Sequence, residues 1–161
     1  MTKQTETPSE LPTNQVRLRI RVRYGECDAQ GVVFNARYAD YADIAATEYI
    51  RALIGNYQTL IDAGFDNQVV NLTIDWFASA RFDDVLELGV AVEHVGNSSF
   101  RLKTDCKKVL ADGSFALLAT MRTTYVVVDN KQFTKQAIPE AMREHLARRF
   151  DILVDQSGVA A

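Results

Sequence analysis

One long amphipathic segment constrains this chain more than any other feature. Tyr38, Tyr41, Ala42, Ala45, Tyr49, Ala52 and Leu53 recur at spacings of three and four, while Arg37, Asp40, Asp43, Thr47 and Arg51 fall on the opposite side. That period predicts a helix with one apolar stripe. Asn35 is placed to cap its start through a side-chain oxygen, and Gly55, just past Ile54, is placed to end it in the left-handed conformation. The flanking segments read as strands. Val16, Leu18, Ile20, Val22 and Tyr24 alternate with Arg17, Arg19, Arg21 and Arg23, the period of a strand with one buried face. Val70, Leu72, Ile74, Trp76 and Ala78 mark a second strand, and Leu86, Leu88, Val90 and Val92 a third. Gly96 and Asn97 turn the chain into a fourth strand at 99–110, and Asp112 with Gly113 turns it into a long fifth strand at 114–128. Pro139 suits the first turn of a last helix in which Ile138, Met142, Leu146 and Phe150 repeat every four residues. An apolar helix set after the first of five strands is buried if the antiparallel sheet curls around it, so the expected class is α+β.

Hydrophobic residues make up 47% of the 161 and charged residues 24%, which suits a folded domain and not a disordered chain. Eighteen Lys and Arg against twenty-one Asp and Glu leave a net charge of −3, so no global basic field exists to hold nucleic acid or an anionic membrane. Cys27 and Cys106 are too few for a disulfide scaffold, and with His94 and His145 they form no zinc-ligand spacing, so no metal or cofactor is expected. The first fourteen residues are polar, contain Pro8 and Pro12, and include no apolar run of signal-peptide or membrane length. The expected organisation is a loose tail at 1–14, one domain at 15–150 and a second tail at 151–161, in a cytoplasmic protein.

The stretch from Arg23 to Arg51 reads RYGECDAQGVVFNARYADYADIAATEYIR. It resembles the active-site loop and central helix of the hot-dog-fold acyl-CoA thioesterases related to 4-hydroxybenzoyl-CoA thioesterase. The specific part is Asp28, two residues, Gly31-Val32-Val33, the aromatic Phe34 and then Asn35 opening the helix. WFASARFDDVLEL, from Trp76 to Leu88, resembles the family's strand-turn-strand. Two positions depart from the commonest pattern. Many members have histidine where Asn35 stands, while others carry Asn-Ala-Arg-Tyr, as Asn35, Ala36, Arg37 and Tyr38 do; Ser79 stands where proline is common.

The resemblance implies a hot-dog fold, a curved five-stranded antiparallel sheet around one long helix with a short C-terminal helix, assembled as a homodimer or homotetramer. It implies hydrolysis of an acyl-CoA, with Asp28 as general base or nucleophile and the backbone amide near Asn35 polarising the carbonyl. Gly31 is expected to let the loop turn tightly. Val33, Phe34 and Tyr38 are the candidate acyl-facing residues, although helical spacing beside Ala42 also gives Tyr38 a place in the core. Arg81, Arg101 and Lys103 are candidates for the phosphates of coenzyme A.

Competing nucleophiles are weaker. Cys27 has no histidine near it in sequence and an acidic neighbour that raises a thiol pKa, and Glu48 reads as a helix residue paired with Arg51. Arg17, Arg19, Arg21 and Arg23 read as a solvated strand face paired with Glu87 and Glu93. Two other functions share this fold: a non-catalytic module that binds an acyl thioester or a protein partner, and a thioesterase acting on acyl-carrier protein.

Overall fold

The computed structural model describes residues 14–159. Among the described residues six strands form one sheet: β1 (Asn14–Arg21), β2 (Phe65–Trp76), β3 (Val85–Val95), β4 (Ser99–Val109), β5 (Phe115–Asp129) and β6 (Phe150–Asp155). Their order across the sheet is β2-β5-β4-β3-β1-β6. All neighbours are antiparallel except β6, which runs parallel to β1. The long helix α1 (Arg37–Ile54) lies against the inner face of this sheet, with α2 (Tyr57–Asp62) and α3 (Glu140–Leu146) near its C-terminal end.

The apolar stripe read from the sequence is the buried one. Tyr38, Tyr41, Ala42, Ala45, Tyr49 and Leu53 are buried, joined by Ala46 and Ile50, and Ala52 is half-buried at the margin. They meet Val16, Leu18 and Ile20 of β1, Leu86, Leu88 and Val90 of β3, and Phe100 and Leu102 of β4. The small alanines bring the helix close to the sheet, while the three tyrosines fill its ends and flanks. Shifts of pairing register at Val69/Asn71, Val92/His94 and Cys106/Lys107 bend the strands, as bulges do, and let the sheet wrap. Gly55 ends α1 at φ +86° with its N–H on the Arg51 carbonyl, as expected.

Several expectations are corrected. The sheet has six strands instead of five, because the segment read as a tail from 151 supplies β6, whose register runs from Asn14↔Phe150 to Arg19↔Asp155. Asn14, assigned to the N-terminal tail, is buried in β1: its amide donates to the carbonyls of Leu146 and Arg148, and its oxygen accepts from the Tyr49 hydroxyl. The rest of that tail, 1–13, lies outside the described residues. The last helix ends at Leu146, so its four-residue repeat stops short of Phe150. The connecting stretch before β2 contains the short helix α2, capped by the Asn56 side chain on the Thr59 N–H. Asn35 does not cap α1. The cap position is Ala36 in helical conformation, without a side-chain hydrogen bond. Tyr24 leaves the alternation of β1 for a 3₁₀ turn and is 80% exposed.

The outer face of β1 is close to expectation. Arg19 holds Glu87 at 2.9 Å and Arg17 lies 3.9 Å from it, so the carboxylate is shielded as well as paired. Arg17 also meets Asp151 at 2.8 Å and Arg21 meets Asp83 at 3.1 Å. Glu93 pairs with Arg122 and Arg101, not with β1.

Candidate active site

The chain between β1 and α1 is pinned into a tight hairpin. Cys27 bridges Val33, the Asp28 N–H donates to the Val32 carbonyl at 2.8 Å, and the Phe34 N–H donates to the Glu26 carbonyl at 2.9 Å. At its tip the Gly31 N–H closes back on the Asp28 carbonyl at 2.9 Å, with Gly31 at φ +76°, a conformation that glycine takes without a Cβ penalty. The hairpin is tied to the β2–β3 connection by Val33 N–H on the Ala80 carbonyl and by the Val32↔Arg81 bridge. It therefore cannot move without disturbing the sheet.

The Asp28 carboxylate is half-buried. Its Oδ1 accepts the Gln30 N–H at 2.8 Å, the turn role that a carboxylate two residues upstream commonly takes. Asp112 and Asp155 do the same for Ser114 and Ser157, and Asp129 does so for Lys131. What separates Asp28 from these turn residues is its place. Among the described residues Oδ2 receives no hydrogen bond, and Asp28 lines a cleft of about 350 Å³. Across that cleft stands the start of α1. Arg37, Tyr38 and Ala39 turn their N–H groups back onto Phe34, Asn35 and Ala36, but among the described residues the N–H groups of Asn35 and Ala36 reach no acceptor. Free donors at a helix start carry partial positive charge, so the cleft has a carboxylate on one side and an anion-favouring mouth on the other.

The remaining walls set its polarity. Val33 and Tyr38 line it from the hairpin and α1, and Tyr38 is otherwise buried. Burial pushes the Tyr38 phenol up to about 12, so it stays protonated at neutral pH. Trp76, Phe77, Ala78 and Ser79 form the facing wall as β2 ends and the Phe77 and Ala78 N–H groups share the Leu118 carbonyl.

The cleft thus brings together Asp28, Asn35, Val33 and Tyr38 among the residues singled out above. Gly31 shapes the turn without lining the cleft; a Cβ there would meet only the Arg81 guanidinium, at 3.8 Å. Phe34 is exposed and is not part of the lining. Arg81 lies beside the hairpin, its backbone N–H on Asp84. Arg101 and Lys103 project from the outer face of β4, where they meet Glu93 at 3.9 Å and Asp105 at 3.8 Å, away from the lining. Cys27 is half-buried with its thiol directed at the Arg23 carbonyl, and Glu48 pairs with Arg51 as expected.

Trp76, Phe77 and Ser79 were not among the expected site residues. Their signal lay in the WFAS run that ends the second strand. Period-two alternation assigns Phe77 and Ser79 to the polar side of a strand; only the termination of β2 at Trp76 turns that run into a wall.

A curved sheet around one helix is the hot-dog architecture. The model of the thioesterase superfamily matches residues 30–107 of this chain. It is 40% identical over 77 residues to the acyl-CoA thioesterase YbgC of Haemophilus influenzae, a match covering 47% of this chain and 57% of that relative, so only a little over half the relative's length is spanned. It is 27% identical over 132 residues to the acyl-CoA thioester hydrolase YbgC of Escherichia coli, covering 82% of this chain and 96% of that one. A solved 4-hydroxybenzoyl-CoA thioesterase mutant, complexed with 4-hydroxybenzoyl-CoA, superposes with a TM-score of 0.76 at 20% identity. That match covers 84% of this chain and all of the other, and carries the fold.

Proposed function

We propose that this protein is an acyl-CoA thioesterase, hydrolysing the thioester to a free carboxylic acid and coenzyme A. The observation that carries the reading is that the Asp28 carboxylate and Asn35, at the start of α1, line one cleft, and that among the described residues the N–H groups of Asn35 and its neighbour Ala36 have no acceptor. A thioester carbonyl seated between them has its oxygen on the donors and its carbon toward the carboxylate. By one route Asp28 takes a proton from water, the hydroxide adds to the carbonyl carbon, and the two N–H groups hold the developing oxyanion. Collapse expels the coenzyme A thiolate, which takes up the proton from Asp28. By the other route Asp28 adds directly, giving a mixed anhydride and the thiolate, and water then cleaves the anhydride. Both need the same geometry.

The apolar wall extends beyond one chain. Among the described residues β2 is an edge of the sheet, and its helix-side residues remain in water: Val69 is 54%, Leu72 37% and Trp76 51% exposed. Antiparallel pairing of β2 with the same strand of a second copy satisfies its free backbone groups and covers these side chains. We therefore read the working form as a homodimer, or a homotetramer built from it, with the cleft closed by the second copy beside Trp76. Among the described residues no helix is long and apolar enough to cross a membrane, and a cytoplasmic site of action suits a coenzyme A substrate.

The test is thiol release from a panel of short, long and aromatic acyl-CoAs, with the matching acyl-carrier-protein thioesters alongside. Turnover of at least one acyl-CoA in preference to its carrier-protein counterpart is expected. No thiol release from any member refutes the enzyme reading and leaves a binding module.

A further inference from the structure

Two residues before Asp28, Glu26 stands where three pieces of the chain meet. Its carbonyl accepts the Phe34 N–H at 2.9 Å, closing the base of the aspartate hairpin just before Asn35. One carboxylate oxygen, Oε1, accepts the Arg23 N–H at 2.8 Å and the Tyr41 hydroxyl at 3.1 Å. A single side chain therefore ties the turn after β1 to α1, about one helical turn in from Arg37.

Packing alone does not ask for this pair. Glu26 is half-buried, yet among the described residues its carboxylate forms no ion pair, whereas Glu48 and Glu87 each meet an arginine. Tyr41 is buried in the apolar stripe of α1, where a phenylalanine would fill the same space; its hydroxyl serves Glu26 and not the core. Burial, and after it the Glu26 carboxylate, push the Tyr41 phenol up, so it keeps its proton and donates. Neither residue lines the cleft that holds Asp28 and Asn35. Glu26 lines a separate one, of about 190 Å³, with Leu18, Ile20 and Ile44 between β1 and α1. A substrate in the first cleft therefore meets only the backbone that the pair holds.

We propose that Glu26 and Tyr41 are positioning residues, their hydroxyl–carboxylate bond fixing the Asp28 hairpin against the start of α1. Asp28 follows Glu26 by two residues, and less than two turns of chain lead from Tyr41 back to Asn35 and Ala36, so the bond spans from the carboxylate side of the site to the N–H side. Those two sides must act on one carbonyl at once, and a misplacement of about 1 Å between reacting groups costs about 10²-fold in rate. The inference rests on the thioesterase reading for the reaction whose rate it sets.

The experiment measures kcat and KM on one acyl-CoA, well below the melting temperature of each preparation, for wild type, Tyr41→Phe, Glu26→Ala, Glu26→Gln and the double variant Tyr41→Phe with Glu26→Ala. Tyr41→Phe and Glu26→Ala should each lower kcat by about 10- to 100-fold with KM little changed. The double variant should be no slower than the slower single one, because both break the same bond. Glu26→Gln keeps an acceptor oxygen and should restore most of the rate. Tyr41→Phe keeps every carbon of the core, so it carries the test where Glu26→Ala fails to fold. A wild-type kcat in Tyr41→Phe, even with a lowered Tm, overturns the proposal and leaves the thioesterase reading standing, since the pair then serves stability alone. Additive losses in the double variant, or a Glu26→Gln as slow as Glu26→Ala, overturn it as well. If wild type hydrolyses nothing, the thioesterase reading falls and amide hydrogen exchange decides the placement: Asp28, Gly31 and Phe34 N–H groups that exchange about ten-fold faster in Tyr41→Phe support the link, and unchanged exchange overturns it.

Discussion

The exposed edge of β2 yields the most quantitative expectation. Val69 and Leu72 are roughly half exposed in one chain, and burying a Val or Leu side chain fully is worth about 1.5–3 kcal/mol. Covering the exposed half therefore contributes about 1 kcal/mol per residue. A two-fold interface uses each residue twice, so Val69→Thr with Leu72→Thr removes about 4 kcal/mol from a dimer, close to a thousand-fold in its Kd. Threonine is β-branched and suits a strand, and neither residue belongs to the buried core, so the monomer should keep its circular dichroism. Sedimentation equilibrium, run beside thiol release, reads the effect. Wild type should sediment as a dimer or larger at micromolar concentration, and the double variant should dissociate and lose turnover in parallel. A wild-type monomer with full turnover would refute the reasoning, as would a double variant that stays assembled.

Three further outcomes follow from particular contacts. Tyr49→Phe leaves the buried Asn14 oxygen without its hydroxyl donor, costing about 1–2 kcal/mol, and should lower Tm by roughly 2–8 °C in a thermal melt. Gly31→Val forces a β-branched residue to φ +76° at about 1–2 kcal/mol of strain; it should lower Tm, and kcat should fall as the turn bearing Asp28 opens. Burial pushes Tyr38, Tyr125 and Cys106 up to about 12 from 10, 10 and 9, so above pH 9 the unfolded chain loses protons that the folded one keeps. Their contribution to stability should be complete below pH 9 and drain away between about pH 9 and 12. Denaturant melts across that range check the sign.

How much of this was legible depends on the range over which each signal acts. The α1 stripe and the alternation in β1 and β3 are local consequences of one apolar face, so periodicity finds them. The Asp112-Gly113 turn is equally local, with Gly113 at φ +84° as such hairpins require. β6 carries no comparable pattern: Ile152 and Leu153 are consecutive and both exposed, and the strand is held by parallel pairing with residues far away in sequence. Asn14 escaped for the same reason, since its three partners lie on α1 and around α3. Asn35 misled through a sound local rule. An asparagine before a helix usually caps it, yet here backbone turns from Phe34 and Asn35 satisfy the first donors.

The site divides in the same way. Asp28, Gly31 and Asn35 sit on one hairpin and its outlet, so an ordered motif exposed them. Trp76 and Ser79 face them only because β2 stops and its continuation crosses in front of the helix start. The outward direction of Arg101 and Lys103 follows from strand parity once Phe100 and Leu102 are known to be buried.

The most direct trial of the central claim is the turnover rate of Asp28→Asn against wild type on the best acyl-CoA, with KM followed in the same assay. Asparagine keeps the oxygen that accepts the Gln30 N–H, so the hairpin should survive and KM should change little. Loss of the carboxylate should lower kcat by about 10²–10⁴. A variant that turns over at the wild-type rate would contradict the account, because the carboxylate facing the helix start would then have no part in breaking the thioester.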